Sequence, residues 1–125
     1  ANNAHVAGHC HVGDWVILGG FTGVHQFVRI GAHAMTGGGT ILFQDVPPYV
    51  TAVGNPAKPY GINNVGLKRR GFSTGAAIKR AYRTLYRSGL PLVEARAALE
   101  TATQQAPEVG ALVRFIDESE RGLLR

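Results

Sequence analysis

Residues 6–42 read VAGHCHVGDWVILGGFTGVHQFVRIGAHAMTGGGTIL. Every sixth residue from Val6 gives Val6, Val12, Leu18, Val24, Ile30, Thr36 and Leu42, aliphatic in all places but Thr36. Two residues before each stands a small or β-branched residue: Ala4, Cys10, Val16, Thr22, Val28, Ala34 and Thr40. The residue after is Ala7, Gly13, Gly19, His25, Gly31 and Gly37. Such a period is neither that of an amphipathic helix nor the alternation of a half-buried strand. It fits a short strand and a tight corner, repeated. The aliphatic residue points inward, the small one fills the neighbouring inward place, and glycine is expected to supply the corner backbone. Three units close a triangle of about 18 residues, and successive coils pair in parallel, as in hexapeptide-type β-helices. Cys10 falls in the small inward column and reads as a buried small hydrophobe, not a nucleophile.

Working outward, the repeat occupies residues 1–43. Ala1 enters in mid-hexad, so the chain is expected to be the C-terminal part of a longer protein. Residues 44–72 form a Pro-rich loop and connector, since Gln44 to Gly61 carries Pro47, Pro48, Pro56 and Pro59; a short strand fits Tyr49 to Val53. Residues 73–125 are predicted to form a C-terminal three-helix domain. Ser73 is the expected first N-cap, and Ile78, Ala81, Tyr82, Leu85 and Tyr86 make one face before Gly89. Pro91 and Pro107 suit the first turns of two more helices, with faces Leu92, Ala95, Leu99, Ala102 and Val109, Leu112, Val113, Ile116.

The 125 residues are 45% hydrophobic, which excludes a chain disordered by composition. One cysteine excludes a disulfide framework and a multi-thiolate zinc site, and fits a reducing compartment. No uncharged run is long and unbroken enough for a transmembrane segment, and no signal peptide is visible, so a cytoplasmic location is expected. The formal net charge is +5, and no acidic residue lies between Asp45 and Glu94. That interval holds Lys58, Lys68, Arg69, Arg70, Lys79, Arg80, Arg83 and Arg87, a local patch that attracts anionic partners. It lacks the aromatic interleaving expected of nucleic-acid binding.

Five histidines, His5, His9, His11, His25 and His33, fall in the repeat, but no two are 18 apart, so the sequence predicts no metal site within one chain. No phosphate loop or dinucleotide motif calls for a cofactor. His9 and His25 are the better acid, base or hydrogen-bonding candidates. Gly8 leaves its N–H approachable, as oxyanion sites require. Asn63 and Asn64 beside Lys68, Arg69 and Arg70 favour a phosphate-bearing ligand.

Taken in order, Ala1-Asn2-Asn3-Ala4, Ala7-Gly8-His9, Val24-His25-Gln26-Phe27, Ile30-Gly31-Ala32-His33, Gln44-Asp45-Val46-Pro47-Pro48-Tyr49-Val50, Gly66-Leu67-Lys68-Arg69-Arg70-Gly71-Phe72 and Tyr86-Arg87-Ser88-Gly89 cover nearly the whole chain. In these strings the sequence resembles the acyl-[acyl-carrier-protein]–UDP-N-acetylglucosamine O-acyltransferase family, which opens lipid A biosynthesis. The resemblance implies a homotrimer of left-handed parallel β-helices with active sites between subunits. It implies transfer of an (R)-3-hydroxyacyl group from acyl carrier protein to the 3-hydroxyl of UDP-N-acetylglucosamine. The general-base histidine of the family would lie about one coil before His9, ahead of Ala1, so this chain is not expected to be a complete catalyst. Gly8 matches the oxyanion donor and His9 an active-site histidine. His25, Gln26, Asn63, Arg69 and Arg70 match nucleotide-sugar contacts, and Gly38 a position that limits acyl length. Val65 stands where the family often has Glu. The cations of the first helix suit an acidic carrier protein.

Three other readings compete. A coenzyme-A-dependent hexapeptide acyltransferase acting on another sugar or amino acceptor shares Gly54-Asn55-Pro56-Ala57-Lys58 but not the LKRRGF string followed by helices. A γ-type carbonic anhydrase needs zinc and stacked histidines. An ice-binding or structural β-helix needs regular threonine columns.

Overall fold

The computed structural model describes residues 1–72 and 75–125. Seven two-residue strands carry the hexads: β1 (His5–Val6), β2 (His11–Val12), β3 (Ile17–Leu18), β4 (Gly23–Val24), β5 (Arg29–Ile30), β6 (Met35–Thr36) and β7 (Ile41–Leu42). They stack in three parallel ladders, β1-β4-β7, β2-β5 and β3-β6. His5 pairs with Gly23 and Gly23 with Ile41, so each ladder partner lies 18 residues on. The inward columns close over the core from the second coil: Val24, Val28, Ile30, Ala34 and Leu42 are at most 4% exposed. Inward Val6 and Val12, on the first coil, remain 47% and 42% exposed. Cys10 is partly buried against this core. Inward threonines satisfy one another, the Thr22 and Thr36 hydroxyls lying 2.8 Å apart.

The corners differ from the expectation that glycine provides their backbone. Within the hexads, positive φ occurs at Asn3, His9, Trp15, Phe21, Phe27 and His33, and of the hexad glycines at Gly39. Each is the third residue of a turn such as Gly31–Ala34, closed by the Ala34 N–H on the Gly31 carbonyl at 3.2 Å. A positive φ at that place alone is the type II pattern. The Gly13 and Gly19 column serves another need. A Cβ at Gly13 would lie 2.7 Å from the Ala32 nitrogen, and one at Gly19 2.7 Å from the Thr36 carbonyl oxygen. Glycine is there because the next coil passes too close for a side chain.

The connector is more regular than expected. The predicted strand appears as β8 (Val50–Gly54), which joins the β3-β6 ladder and turns back into antiparallel β9 (Ala57–Ile62). A short helix α1 (Asn64–Arg69) follows, capped by Asn63, whose side chain accepts from the Gly66 N–H. It spans too few residues to display a helical period. The later helices are α2 (Ala76–Tyr86), α3 (Leu92–Thr103) and α4 (Gly110–Glu118), the last entered through a 3-10 turn at Pro107–Val109. The expected cap Ser73 lies outside the described residues; Gly75 precedes α2. Faces follow the predicted periods with two corrections: Ala102 is exposed, and Phe115 is buried instead, 7% exposed against Leu85 and Ala95. Tyr82 of α2 joins the coil core. No helix among the described residues is long and apolar enough to cross a membrane.

After α4 the chain returns to the coil. Asp45 forms a parallel bridge with Leu123, and its fully buried carboxylate accepts the Arg29 N–H at 2.8 Å. The Arg29 guanidinium pairs with Glu118 at 2.9 Å.

Candidate functional site

The three corner edges of the coil carry different groups. On the first edge, Gly8-His9 and Gln26-Phe27 stack, with the Phe27 N–H on the Gly8 carbonyl at 3.2 Å. The rings of His9 and Phe27 lie 5.0 Å apart and within 9° of parallel. Stacking at the positive-φ corner thus fixes His9 facing outward. Gly8 is exposed, with nothing within 4 Å of where a Cβ would stand. Neither its φ nor crowding demands glycine there. His25 opens the turn that carries Gln26 and Phe27, closed by the Val28 N–H on the His25 carbonyl at 3.3 Å. Its carbonyl receives the Cys10 thiol at 3.1 Å, its ring meets Phe43 at 5.6 Å, and its Nδ1 lies 3.3 Å from the Arg121 guanidinium.

The second edge is aromatic and cationic. Trp15, His33 and Tyr49 occupy successive corners; His33 stacks on Tyr49 at 5.9 Å, and Phe72 meets His33 edge-on at 5.1 Å. The Nδ1 atom of His33 is buried without a hydrogen-bond partner among the described residues. Burial, followed by the Arg70 charge, pulls the His33 imidazole below its ordinary value, against an upward pull from Asp14. Asn63 donates its side-chain amide to the His33 carbonyl at 2.9 Å while capping α1. It is 3% exposed, so its amide fastens α1 to the coil. Arg70 places its guanidinium 3.6 Å from the Trp15 ring centroid. Arg69 lines a groove of about 410 Å³ between α1 and the outward residues Ile17 and Met35, with Val65 at its wall.

The third edge holds Gly38, exposed, its open side toward the Gly20 carbonyl. Lys79 and Arg83 of α2 and its C-cap Arg87 line a groove of about 710 Å³ shared with Tyr60 and Asn64. Arg80 faces a different groove, beside Glu108.

The structure therefore brings Gly8, His9, His25 and Gln26 together on one edge and Asn63, Arg69 and Arg70 on another, with Gly38 on the third. Sequence reasoning missed the aromatic partners Trp15, Phe27 and Tyr49. The signal for Trp15 and Phe27 was a third register, Asn3, His9, Trp15, Phe21, Phe27, His33 and Gly39, which marks the turn position; Tyr49 lies outside it. Nothing periodic announced Arg121.

A triangular parallel coil of six-residue units, carrying outward imidazoles and amides and closed by helices, defines a hexapeptide-repeat protein. A family profile described as Udp N-acetylglucosamine O-acyltransferase, Domain 2, matches residues 45–124. Curated acyl-[acyl-carrier-protein]–UDP-N-acetylglucosamine O-acyltransferases are similar over the whole chain: that of Thiobacillus denitrificans is 57% identical across 127 residues, with 49% of its length covered. The Janthinobacterium enzyme is 57% identical across 131 residues, with 50% covered. Among solved structures, the Moraxella catarrhalis UDP-N-acetylglucosamine O-acyltransferase superposes with TM-score 0.95 at 45% identity, over 99% of this chain and 49% of that one. The chain belongs to the UDP-N-acetylglucosamine O-acyltransferase family. It spans about half the length of the curated relatives it matches.

Proposed function

We propose that this chain takes part in moving an (R)-3-hydroxyacyl group from acyl carrier protein to the 3-hydroxyl of UDP-N-acetylglucosamine, the opening step of lipid A biosynthesis, in the cytoplasm. A C–O bond forms at the acyl carbonyl carbon while the thioester C–S bond breaks, and the sugar hydroxyl proton ends on the departing thiol. The Gly8 N–H steadies the carbonyl oxygen as it gains charge. His9 stands beside the reacting groups, and His25 and Gln26 hold the sugar. Arg69 and Arg70 bind the diphosphate, Asn63 keeps α1 in place beneath them, and Gly38 leaves room for the acyl chain.

The observation that carries this reading is the separation of two complementary half-sites on different edges of one coil. Imidazole and amide groups line one edge; guanidinium groups line another. They meet only if the first edge of one copy faces the second edge of its neighbour, which is the arrangement of a homotrimer of left-handed parallel β-helices. Lys79, Arg83 and Arg87, clear of any acidic neighbour in their groove, suit an acidic carrier protein. The named relatives, each a UDP-N-acetylglucosamine O-acyltransferase, support the same substrates.

The test is thermal shift and calorimetry of the full chain with UDP-N-acetylglucosamine and, separately, with coenzyme A, alongside sedimentation of the free protein. A trimer stabilised by the nucleotide sugar, with stabilisation reduced in Arg69→Ala and Arg70→Ala, supports the reading. Stabilisation by coenzyme A alone would replace it with the coenzyme-A-dependent alternative.

A further inference from the structure

We infer that Arg121 holds His25 in the tautomer that carries its proton on Nε2, so that the tail after α4 completes the first edge. Its geometry stands alone; its meaning for catalysis rests on reading His25 as a substrate contact.

The tail adds a rung to that edge. The Asp45 N–H donates to the Gly122 carbonyl at 2.9 Å, and the Leu124 N–H to the Asp45 carbonyl at 2.7 Å, around the parallel Asp45–Leu123 bridge. Arg121 stands two residues before Leu123 of this bridge. Below it, the His25 N–H donates to the Leu42 carbonyl at 2.9 Å and the Ala7 N–H to the Val24 carbonyl at 3.0 Å. The outward column on this edge therefore reads Ala7, His25, Phe43. The rung is firmly built. Ser119 donates to the Asp45 carboxylate at 2.5 Å, the Tyr86 hydroxyl to the Leu124 carbonyl at 2.7 Å, and Arg125 to the Leu90 carbonyl at 2.6 Å. Leu123 and Leu124 are buried.

From this rung the Arg121 Nη2 reaches the His25 Nδ1 at 3.3 Å. A guanidinium offers only donors, so Nδ1 must accept, and the proton of the neutral ring belongs on Nε2. Phe43 against the ring limits how the imidazole can turn. Arg121 is therefore a positioning residue: it makes the outward nitrogen of His25 a hydrogen-bond donor, suited to an oxygen of the sugar or the acyl group.

The test is long-range proton–nitrogen correlation NMR on the full chain with nitrogen-15 histidine, near pH 8, where ordinary imidazoles are neutral (about 6.5 for the free side chain). His25→Gln assigns the signal. The expected result is a single Nε2–H pattern for His25 in the parent, a mixture of tautomers in Arg121→Ala, and return of the single pattern in Arg121→Lys. Affinity for UDP-N-acetylglucosamine is expected to fall roughly five- to tenfold in Arg121→Ala and recover partly in Arg121→Lys. A parent chain already mixed, or an unchanged pattern in Arg121→Ala, overturns the inference. A parent chain that fails to bind the nucleotide sugar overturns the proposed function instead, and the spectra still decide the tautomer.

Discussion

Ser119 donates its hydroxyl to the buried Asp45 carboxylate at 2.5 Å, fastening the segment after α4 to the coil. The other carboxylate oxygen receives the Arg29 N–H at 2.8 Å. Asp45→Ala leaves that buried amide and the Ser119 hydroxyl without their acceptor. The expected loss is about 2–3 kcal/mol in urea unfolding, with a smaller loss for Asp45→Asn. A change below about 0.5 kcal/mol, the range of an ordinary surface substitution, would show that the tail holds without this clamp.

Gly19→Ala is expected to destabilise by about 1–3 kcal/mol, because its methyl would press on the backbone of Thr36, Gly37 and Gly38. Gly8→Ala, with open space around the added carbon, is the paired measurement. Equal midpoints for the two variants would refute close coil stacking as the reason for the glycine column.

Phe21 holds φ 59° while 69% exposed. An L-residue in that region is strained by about 1–2 kcal/mol, and its ring recovers little by burial. Phe21→Gly is therefore expected to leave stability unchanged or raise it by up to about 1 kcal/mol, after glycine's own entropy cost. A clear loss in thermal unfolding would mean that the exposed ring contributes more than the backbone strain removes.

His33 makes stability depend on pH in a known direction. Burial first, then Arg70, lowers its folded value below 6.5. The unfolded chain then binds the proton more readily, so this contribution is complete above pH 6.5 and is lost as pH falls through the lower folded value. His33→Asn, a residue that tolerates φ 64°, is expected to flatten that part of the profile. Urea midpoints measured across the acid range would contradict the assignment if parent and variant declined in parallel.

Charge reversal on α2 separates its two faces. Lys79→Glu with Arg83→Glu is expected to weaken carrier-protein binding by at least about tenfold at low salt, with the difference shrinking as salt rises. Arg80→Glu, in the other groove, is expected to do less. Equal losses from both would point to general charge attraction and not to docking in the groove beside Tyr60.

Much of this architecture was legible because a six-residue period leaves few folds to choose from. Val24, Ile30 and Leu42 fell where the columns placed them, and so did Ile78, Ala81 and Leu85 on α2. The corners were misread for a physical reason: glycine is the usual residue at positive φ, yet His9, Trp15 and Phe27 take it here with outward rings stacked or covered. Helix α1 stayed hidden in a six-residue segment with no period to detect. Arg121 was invisible because it reaches the edge through a bridge between Asp45 and Leu123, a distant pairing that leaves no local pattern. Of the candidate groups, His9, His25 and Gln26 are exposed, and the side chain of Asn63 caps α1 and donates to the His33 carbonyl.

The parallel register sets an arithmetic for inserted residues. Since partners such as His5 and Gly23 lie 18 apart, a single extra hexad ahead of Phe21 would keep every inward residue inward, yet carry His25 round to the next edge, away from His9. A full coil of three hexads would return it. The interior counts in sixes and the outer edges in eighteens, so a length change that leaves the melting temperature untouched can still dismantle the surface on which His9 and His25 stand together.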